Sequence, residues 1–502
     1  KGRGIMRAQI GNHELLDSYN IIPASLKDAN RKDDIDYAKM KRCNRDAVRD
    51  EIIKYCIADC RYLLELVRDF VETYGFRLSI GQAAMRELKK NYETRNIGGY
   101  IDALLRQYYH GGRVECLKGA GHFLGNFKLF DVNSMYPAVM REYQHPIGNG
   151  SHYIFRSVAP AINEQTVFIT LECDNQGALL AYDEAGELTT RIPRGIFNTT
   201  IHEFRTATRL GLISSVRLIK TVDCSLQTTF AKFVDPLYAQ RREWIEKIDA
   251  GIFGQDTSEY YAAERVKLFL KLIMNNAYGK FAQDPSRFKE WYVTSSGDTV
   301  PPDKEPRSEP ASDYFDADLS HHDGFYNVKR PQQPDIWTAN YKNDDYWIWS
   351  RPTINKRGGG YYNVGTAASI TGAARSRLME AIHYADNPIY CDTDSLLCDN
   401  LTGICIDHSL LGAWKCEGEF VEAFIAGKKS YAMVQADGKA KIRHKGGTLT
   451  LSQIKAMMLD CEEVPTINKG CTISRDGKQT YIERTARVTA KRKVEPSHGA
   501  NQ

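Results

Sequence analysis

Apolar and polar positions alternate along this chain in two rhythms, one helical and one extended. From about Asp46 to Tyr74, residues Ile52, Ile53, Cys56, Ile57, Cys60, Leu63, Leu64, Leu66 and Val67 recur at helical spacing. That recurrence predicts one long amphipathic helix whose apolar face is a core seam, with Cys56 and Cys60 packed into it. A shorter helix is expected from Gly81 to about Tyr92, and two long ones from Thr228 to Ala250 and from Thr257 to Phe281. A helix of small residues follows from Val364 to Tyr384. Extended signals are the apolar run Phe127–Phe130 ending at Asp131, the run Thr166–Leu171 in a mixed, strand-rich stretch from Glu142 to Asp223, and a hairpin around Ile389–Leu397. Residues 284–360, rich in Asp, Pro, Ser, Tyr and Trp, read as an inserted, loop-rich subdomain.

Composition narrows this picture modestly. With 502 residues, 42% hydrophobic and 26% charged, the chain has room for several domains with substantial cores. No apolar run reaches membrane-spanning length, so no membrane association is expected. Twelve cysteines without a CxxC pair or zinc spacing predict free thiols, and with them a reducing intracellular compartment rather than secretion. The net charge of +4 says little, but residues 427–502 carry 15 Lys+Arg against 7 Asp+Glu. A basic end beside an acidic centre suits a protein that grips a polyanion with one part and holds metal ions in another, although a merely solvated basic face fits the charges as well.

Candidate chemistry concentrates in a few motifs. In Tyr390-Cys391-Asp392-Thr393-Asp394-Ser395 two carboxylates lie two apart on an extended backbone, pointing the same way near a hairpin tip. Such a pair remains ionised only with positive charge nearby, and hard divalent cations accept these oxygens while leaving positions open for phosphate. The bare tripeptide also fits a solvated turn. Asp131, at the end of a buried strand and before Val132, Asn133, Ser134, Met135, Tyr136 and Pro137, is a second candidate ligand or a helix cap. Lys267, Lys271, Asn275 and Tyr278 step by four, four and three along one helix, with Arg241 and Arg242 on the preceding one. The stripe suits a nucleoside triphosphate, cations to phosphates and ring to sugar and base; a solvated basic face is the alternative. Tyr108-Tyr109-His110-Gly111-Gly112-Arg113 allows close backbone approach or a simple turn. Lys429 and Tyr431 are expected on one face of a strand, and Tyr55 and Asp59 lie one turn apart on the first long helix.

In this order the motifs resemble those of the family B DNA polymerases, specifically the protein-primed branch of phages, linear plasmids and viruses. DVNSMYP looks like polymerase motif A, KLIMNNAYG like motif B and YCDTDS like motif C. YHGG looks like the tyrosine-x-glycine-glycine motif, TGAAR like the primer-template contact motif, and KKSY like the lysine-x-tyrosine motif. Asn276 stands where the family usually has serine. HELLDSYNIIPASL, DDIDY and YCIAD resemble the end of a 3′–5′ exonuclease domain whose first two motifs have no counterpart here. The chain, which begins with Lys, is therefore expected to be a fragment of a longer, N-terminally truncated protein and unable to trim a mismatched primer.

The resemblance implies an α/β (α+β) fold, a right-hand polymerase with palm, fingers and thumb plus the C-terminal part of a ribonuclease-H-like exonuclease domain. Its expected divisions are an incomplete exonuclease-like domain at 1–80, a linker at 81–130 and palm with a first insertion at 131–227. Fingers follow at 228–283, a second insertion at 284–360, palm with motif C at 361–426, and thumb with a basic tail at 427–502, including the Ala490–Lys493 run. The implied activity is template-directed DNA synthesis from a priming protein; a non-catalytic DNA-binding remnant is the alternative, and Tyr136 disfavours RNA synthesis. Asp131, Asp392 and Asp394 would be catalytic around two Mg²⁺ ions, or Mn²⁺ in their place, with Val132 as a backbone ligand. Nucleotide binding would fall to Tyr136, Arg241, Lys267, Lys271, Asn275 and Tyr278. DNA binding would fall to Tyr109, Gly111, Gly112, Ser134, Thr371, Arg375, Lys429 and Tyr431, while Tyr55 and Asp59 would be an exonuclease remnant. Primer-template DNA, deoxynucleoside triphosphates and a terminal protein would be the partners of a monomer.

Overall fold

A computed structural model describes residues 7–10, 12–24, 26, 35, 36, 39, 44, 46–255, 257–284, 289–295, 338–342, 346–352, 361–445, 447–459, 463–473 and 479–488. The chain divides into two compact units, each assembled from three segments. One comprises Lys1–Gln107, Met140–Ile154 and Cys224–Ala367; the other comprises Tyr108–Val139, Phe155–Asp223 and Ala368–Gln502.

The second unit is built on a seven-stranded antiparallel sheet. Its spatial order is Ala440–Arg443, Ser430–Val434, Trp414–Gly427, Gly121–Val132, Ser395–Cys398, Tyr390–Asp392 and Val114–Cys116. Side chains on a strand alternate between faces, and both faces are used here. Ala423, Ile425, Tyr431 and Met433 join a core cluster with Phe127, Leu129, Tyr390 and Leu397. The intervening Phe424, Ala426, Ala432 and Val434 join another with Ile454, Met457 and Met458 of the helix Leu451–Leu459. Burial on both faces explains why the central strands read as nearly continuous apolar runs. A four-stranded sheet includes Thr166–Asn175, flanked by Arg194–Thr200 and Ile213–Cys224. The helix Ile201–Arg209 follows it, opened by a capping box between Thr200 and Glu203.

The first unit is mainly helical, with helices at Arg49–Tyr74, Ile80–Lys89, Gly99–Arg106, Ala231–Asp249 and Ser258–Phe281. All but Gly99–Arg106, for which no helix was predicted, fall close to the predicted spans. The seam of the 26-residue helix does not. Leu66, Phe70 and Tyr74 are buried, whereas Ile53, Cys56, Ile57, Cys60, Leu63 and Leu64 are exposed. Phe70 meets Phe269 edge-on at 5.2 Å, and Asp69 pairs with Arg265 at 2.7 Å, so the helix docks by its C-terminal half on Ser258–Phe281. Periodicity locates an apolar stripe but not the part that a partner covers. Cys56, Cys60, Cys116, Cys173, Cys224, Cys391, Cys398, Cys405 and Cys416 are free thiols.

Within 284–360, where loops were expected, strands Lys289–Ser295, Tyr346–Pro352 and Thr338–Lys342 form a three-stranded antiparallel sheet. Most of the remaining expected insertion, and the Ala490–Lys493 run, lie outside the described residues. No helix among the described residues is long and apolar enough to cross a membrane.

Candidate active site

Sheet register brings the acidic motifs together. Asp392 faces Ser395 across the hairpin, and Ser395 faces Asp131 on the neighbouring strand. The Val132 N–H donates to the Asp394 carbonyl at 2.9 Å, fastening motif A to the hairpin through the backbone. At the tip, the Asp394 N–H reaches back to the Asp392 carbonyl at 2.7 Å while Thr393 sits at φ 63°. This is a tight γ-type turn in a conformation unfavourable to a β-branched residue, and it persists only where surrounding contacts impose it. One such contact is the Thr393 N–H to the Arg113 carbonyl, 2.7 Å.

Electrostatics distinguish the three carboxylates. Burial pushes Asp131 up to about 7; the negative charges of Asp394 and Glu417 add to the shift, and Lys415 and Lys441 oppose it. Burial also raises Asp394, with Asp392 contributing further and Lys429 opposing. Asp392 is instead gripped by Lys429, whose Nζ lies 2.5 and 2.6 Å from its two oxygens. Among the described residues no three acidic, histidine or cysteine side chains are gathered as a ready ion cage. The donor set is a pair of half-buried carboxylates, the charge of Asp394 raising Asp131, and the backbone beside them. Repulsion of that kind is relieved by a cation between the groups.

A family model for DNA polymerase type B, organellar and viral, matches residues 6–342. The chain belongs to this family. The DNA-directed DNA polymerase of Enterobacteria phage PRD1 is 35% identical over 454 residues, spanning 90% of this chain and 72% of that protein. Probable DNA polymerases of Ascobolus immersus and Neurospora intermedia are each 23% identical, over 76% and 81% of this chain but 29% and 40% of their own lengths. The solved Phi29 DNA polymerase complexed with primer-template DNA matches in fold, with TM-score 0.62 and 16% identity over 95% of this chain and 80% of that one. The Phi29 enzyme with single-stranded DNA gives 0.63. The expected recognition as a family B polymerase of the protein-primed kind, the α/β right-hand fold and the activity of a DNA-directed DNA polymerase all stand.

The remaining motif residues of this type B polymerase occupy varied settings. Tyr136 is half-buried on the helix Met135–Glu142, and Ser134 precedes that helix at φ 54°. In the helical unit, Lys271 is exposed, Asn275 and Tyr278 are half-buried, and Lys267 pairs with Glu264 one turn earlier at 2.5 Å. Asn276 donates to the Leu272 carbonyl at 2.8 Å, a bond that a shorter serine hydroxyl could replace only from closer in. Arg241 is partly buried and its Nε has no hydrogen-bond partner; burial lowers its pKa. Tyr55 is buried, and Asp59 on the same helix keeps a buried oxygen without a hydrogen bond.

Three DNA-binding assignments meet a different geometry from the one expected. Lys429 is not on a strand but in the preceding turn, at φ 59°, and points to Asp392. Thr371 is 1% exposed and donates to its own helix at Ala368. Arg375 is 2% exposed, and all three of its guanidinium nitrogens donate inside the protein. Tyr431 is 8% exposed against Tyr390, while Gly111 is exposed and Tyr109 and Gly112 are half-buried. The motif search missed Lys415 and Glu417, which are 3.2 Å apart and act on Asp131. Their signal was available as an i, i+2 pair on one strand face, but only register with Asp131 gives it meaning.

Proposed function

We propose that Asp131 and Asp394 are the direct ligands of two Mg²⁺ ions in this DNA polymerase, with the Val132 carbonyl beside them and Asp392 a variable ligand held in reserve by Lys429. The observation that supports this most is the placement of two half-buried carboxylates on hydrogen-bonded strand ends, both raised by burial and Asp131 further by the charge of Asp394, an arrangement unfavourable without a cation. The chemistry such ions supply when bound is acidification of the primer 3′-hydroxyl and neutralisation of the triphosphate during in-line displacement. The chain's own residues do the rest. Tyr136, beside motif A, lies under the sugar and excludes a 2′-hydroxyl. Lys271, with Lys267 released from Glu264, meets the phosphates, Asn275 and Tyr278 border the nascent pair, and Arg241 is a further cation for the same ligand.

In this reading the substrates are primer-template DNA and deoxynucleoside triphosphates, and the first chain start comes from a terminal protein. The seven-stranded sheet apart from Ser430–Val434 and Ala440–Arg443 is palm, residues 228–283 are fingers, the segment from 427, which supplies those two strands, is thumb, and residues 1–80 belong to an exonuclease-like domain. Primer extension tests the core of it. The chain should extend a primed template with Mg²⁺, and Asp394→Asn should not; DNA binding without incorporation by the parent chain would leave only a non-catalytic remnant.

A further inference from the structure

Arg375 lies in the motif read as a primer-template contact, yet its position precludes that use. It is 2% exposed and its partner Glu203 is 3% exposed in side-chain terms. Arg375 Nε and Nη2 donate to the two Glu203 oxygens at 2.7 and 2.8 Å, a two-pronged pair. The third nitrogen, Nη1, donates to the His110 and Gly111 carbonyls at 2.5 and 2.9 Å. Burial disfavours an ionised Glu203, but the charge and hydrogen bonds of Arg375 overcome this and lower its pKa. Both groups are therefore charged inside the fold, and four of the five Arg375 N–H groups are spent on Glu203, His110 and Gly111. The fifth, on Nη2, belongs to a side chain that is only 2% exposed.

What the pair holds leads straight to the catalytic turn. Gly111 is followed by Gly112, where an added Cβ would lie 2.6 Å from Thr393 Oγ1, a distance no ordinary contact tolerates. The next residue, Arg113, supplies the carbonyl that holds the Thr393 N–H at 2.7 Å. Thr393 is the strained residue between Asp392 and Asp394. At the other end Glu203 is fixed by the Thr200 hydroxyl at 2.8 Å, within the capping box of its helix.

We infer that the buried Glu203–Arg375 pair is a positioning device for the polymerase reaction: it anchors the His110–Arg113 backbone, which clamps Thr393 and so aims the Asp392 and Asp394 carboxylates. Glu203 thereby gains a role that no motif assigned to it. Arg375 acts on DNA synthesis through the protein, not through contact with the nucleic acid. The inference rests on the proposed roles of Asp131 and Asp394.

The test uses the full chain with Arg375→Lys, Glu203→Gln and the double variant, measuring steady-state extension, DNA affinity against salt, and thermal melting. A lysine retains the charge but cannot serve both carboxylate oxygens and both carbonyls. We expect kcat to fall about tenfold to a hundredfold in each single variant, as small misplacements of reacting groups do. The double variant should fall no further than the worse single one, and DNA affinity with its salt dependence should stay within about twofold, since no phosphate contact is lost. In the charge-neutral variant Arg375→Gln, a salt slope shallower by about one, with kcat retained at saturating DNA, would mean a direct phosphate contact and overturn the inference. A lower melting temperature with unchanged kcat per folded molecule would overturn it too, leaving a purely structural pair.

Should those variants not fold, Gly112→Ala probes the other end. It should lose kcat to a similar degree, and Thr393→Gly in the same chain should restore much of it by removing the clash. An active Gly112→Ala, or one that the second change cannot rescue, overturns the inference. Asp394→Asn separates the two readings. If it remains active the metal-ligand assignment itself fails, whereas if it is inactive and the Glu203 and Arg375 variants behave as wild type only the positioning role fails.

Discussion

The acidic hairpin and the basic helix hold their charges in opposite ways. Asp392 and Asp394 sit on a turn constrained by sheet register on one side, by the Arg113 carbonyl on another and by a strained φ at Thr393. Lys271, by contrast, is exposed on the helix Ser258–Phe281, and Lys267 is tied only to Glu264 one turn away. Carboxylates that hold a metal must be placed to within a fraction of an ångström. A long cationic side chain that meets a phosphate needs reach more than placement. The rigid site is therefore built on backbone hydrogen bonds and the adaptable one on solvated side chains.

This contrast is open to direct attack. Asp131→Asn and Asp394→Asn should each lower kcat for nucleotide incorporation by about a hundredfold to a thousandfold, the scale for loss of a preorganised electrostatic group. Both variants should also melt no lower than the parent in chelator, because each removes a repulsive carboxylate. A loss of activity explained by unfolding would remove the contrast.

Within the helical unit, Phe70→Ala should cost about 3–5 kcal/mol of stability in denaturant titration, since Phe70 is fully buried against Phe269. Leu64→Ser on the same helix should stay within about 0.5 kcal/mol, because Leu64 is 65% exposed. Equal effects would mean that the docked stripe has been misplaced.

Lys271→Ala should raise the KM for nucleotide about tenfold with a smaller change in kcat, as expected when one charge-assisted contact of modest strength is lost. An effect confined to kcat would make Lys271 part of the precise machinery instead.

The smallest effect is a pH signature. The folded-state pKa of Asp131 lies above its unfolded value, so the folded chain binds the extra proton. That contribution is fully present below the unfolded pKa and is lost as pH rises through about 7. In chelator, the melting advantage of Asp131→Asn over the parent should therefore grow between pH 5 and pH 8. Saturating Mg²⁺ should narrow it at pH 8 by stabilising the parent through its ionised carboxylate. A pH-independent difference would mean that Asp131 is not strained by its neighbours.

Much of the site could be read from local pattern. The hairpin was placed by a turn signal and an apolar flank, and the helix Val364–Tyr384 by its spacing, because both depend on near neighbours. The four long spans of the helical unit were also close, and Thr257 caps the last of them. The burial of Thr371 and Arg375 was not foreseen, because motif reasoning treats an arginine as a surface cation. Its counter-charge, Glu203, lies far away in sequence on a different helix. Lys429 was placed on a strand because a Lys-x-Tyr alternation looks extended, whereas the turn ahead of Ser430–Val434 takes a left-handed residue that the pattern does not signal.

The amino-acid order alone determined the periodicities, the acidic and basic motifs and the family, because each is carried by residues close together or by their order along the chain. Tertiary structure decided which carboxylates share a site, which face of the long helix is covered, and that Arg375 turns inward to Glu203. Those outcomes depend on sheet register and on desolvation by distant segments, and neither quantity exists until the chain has folded.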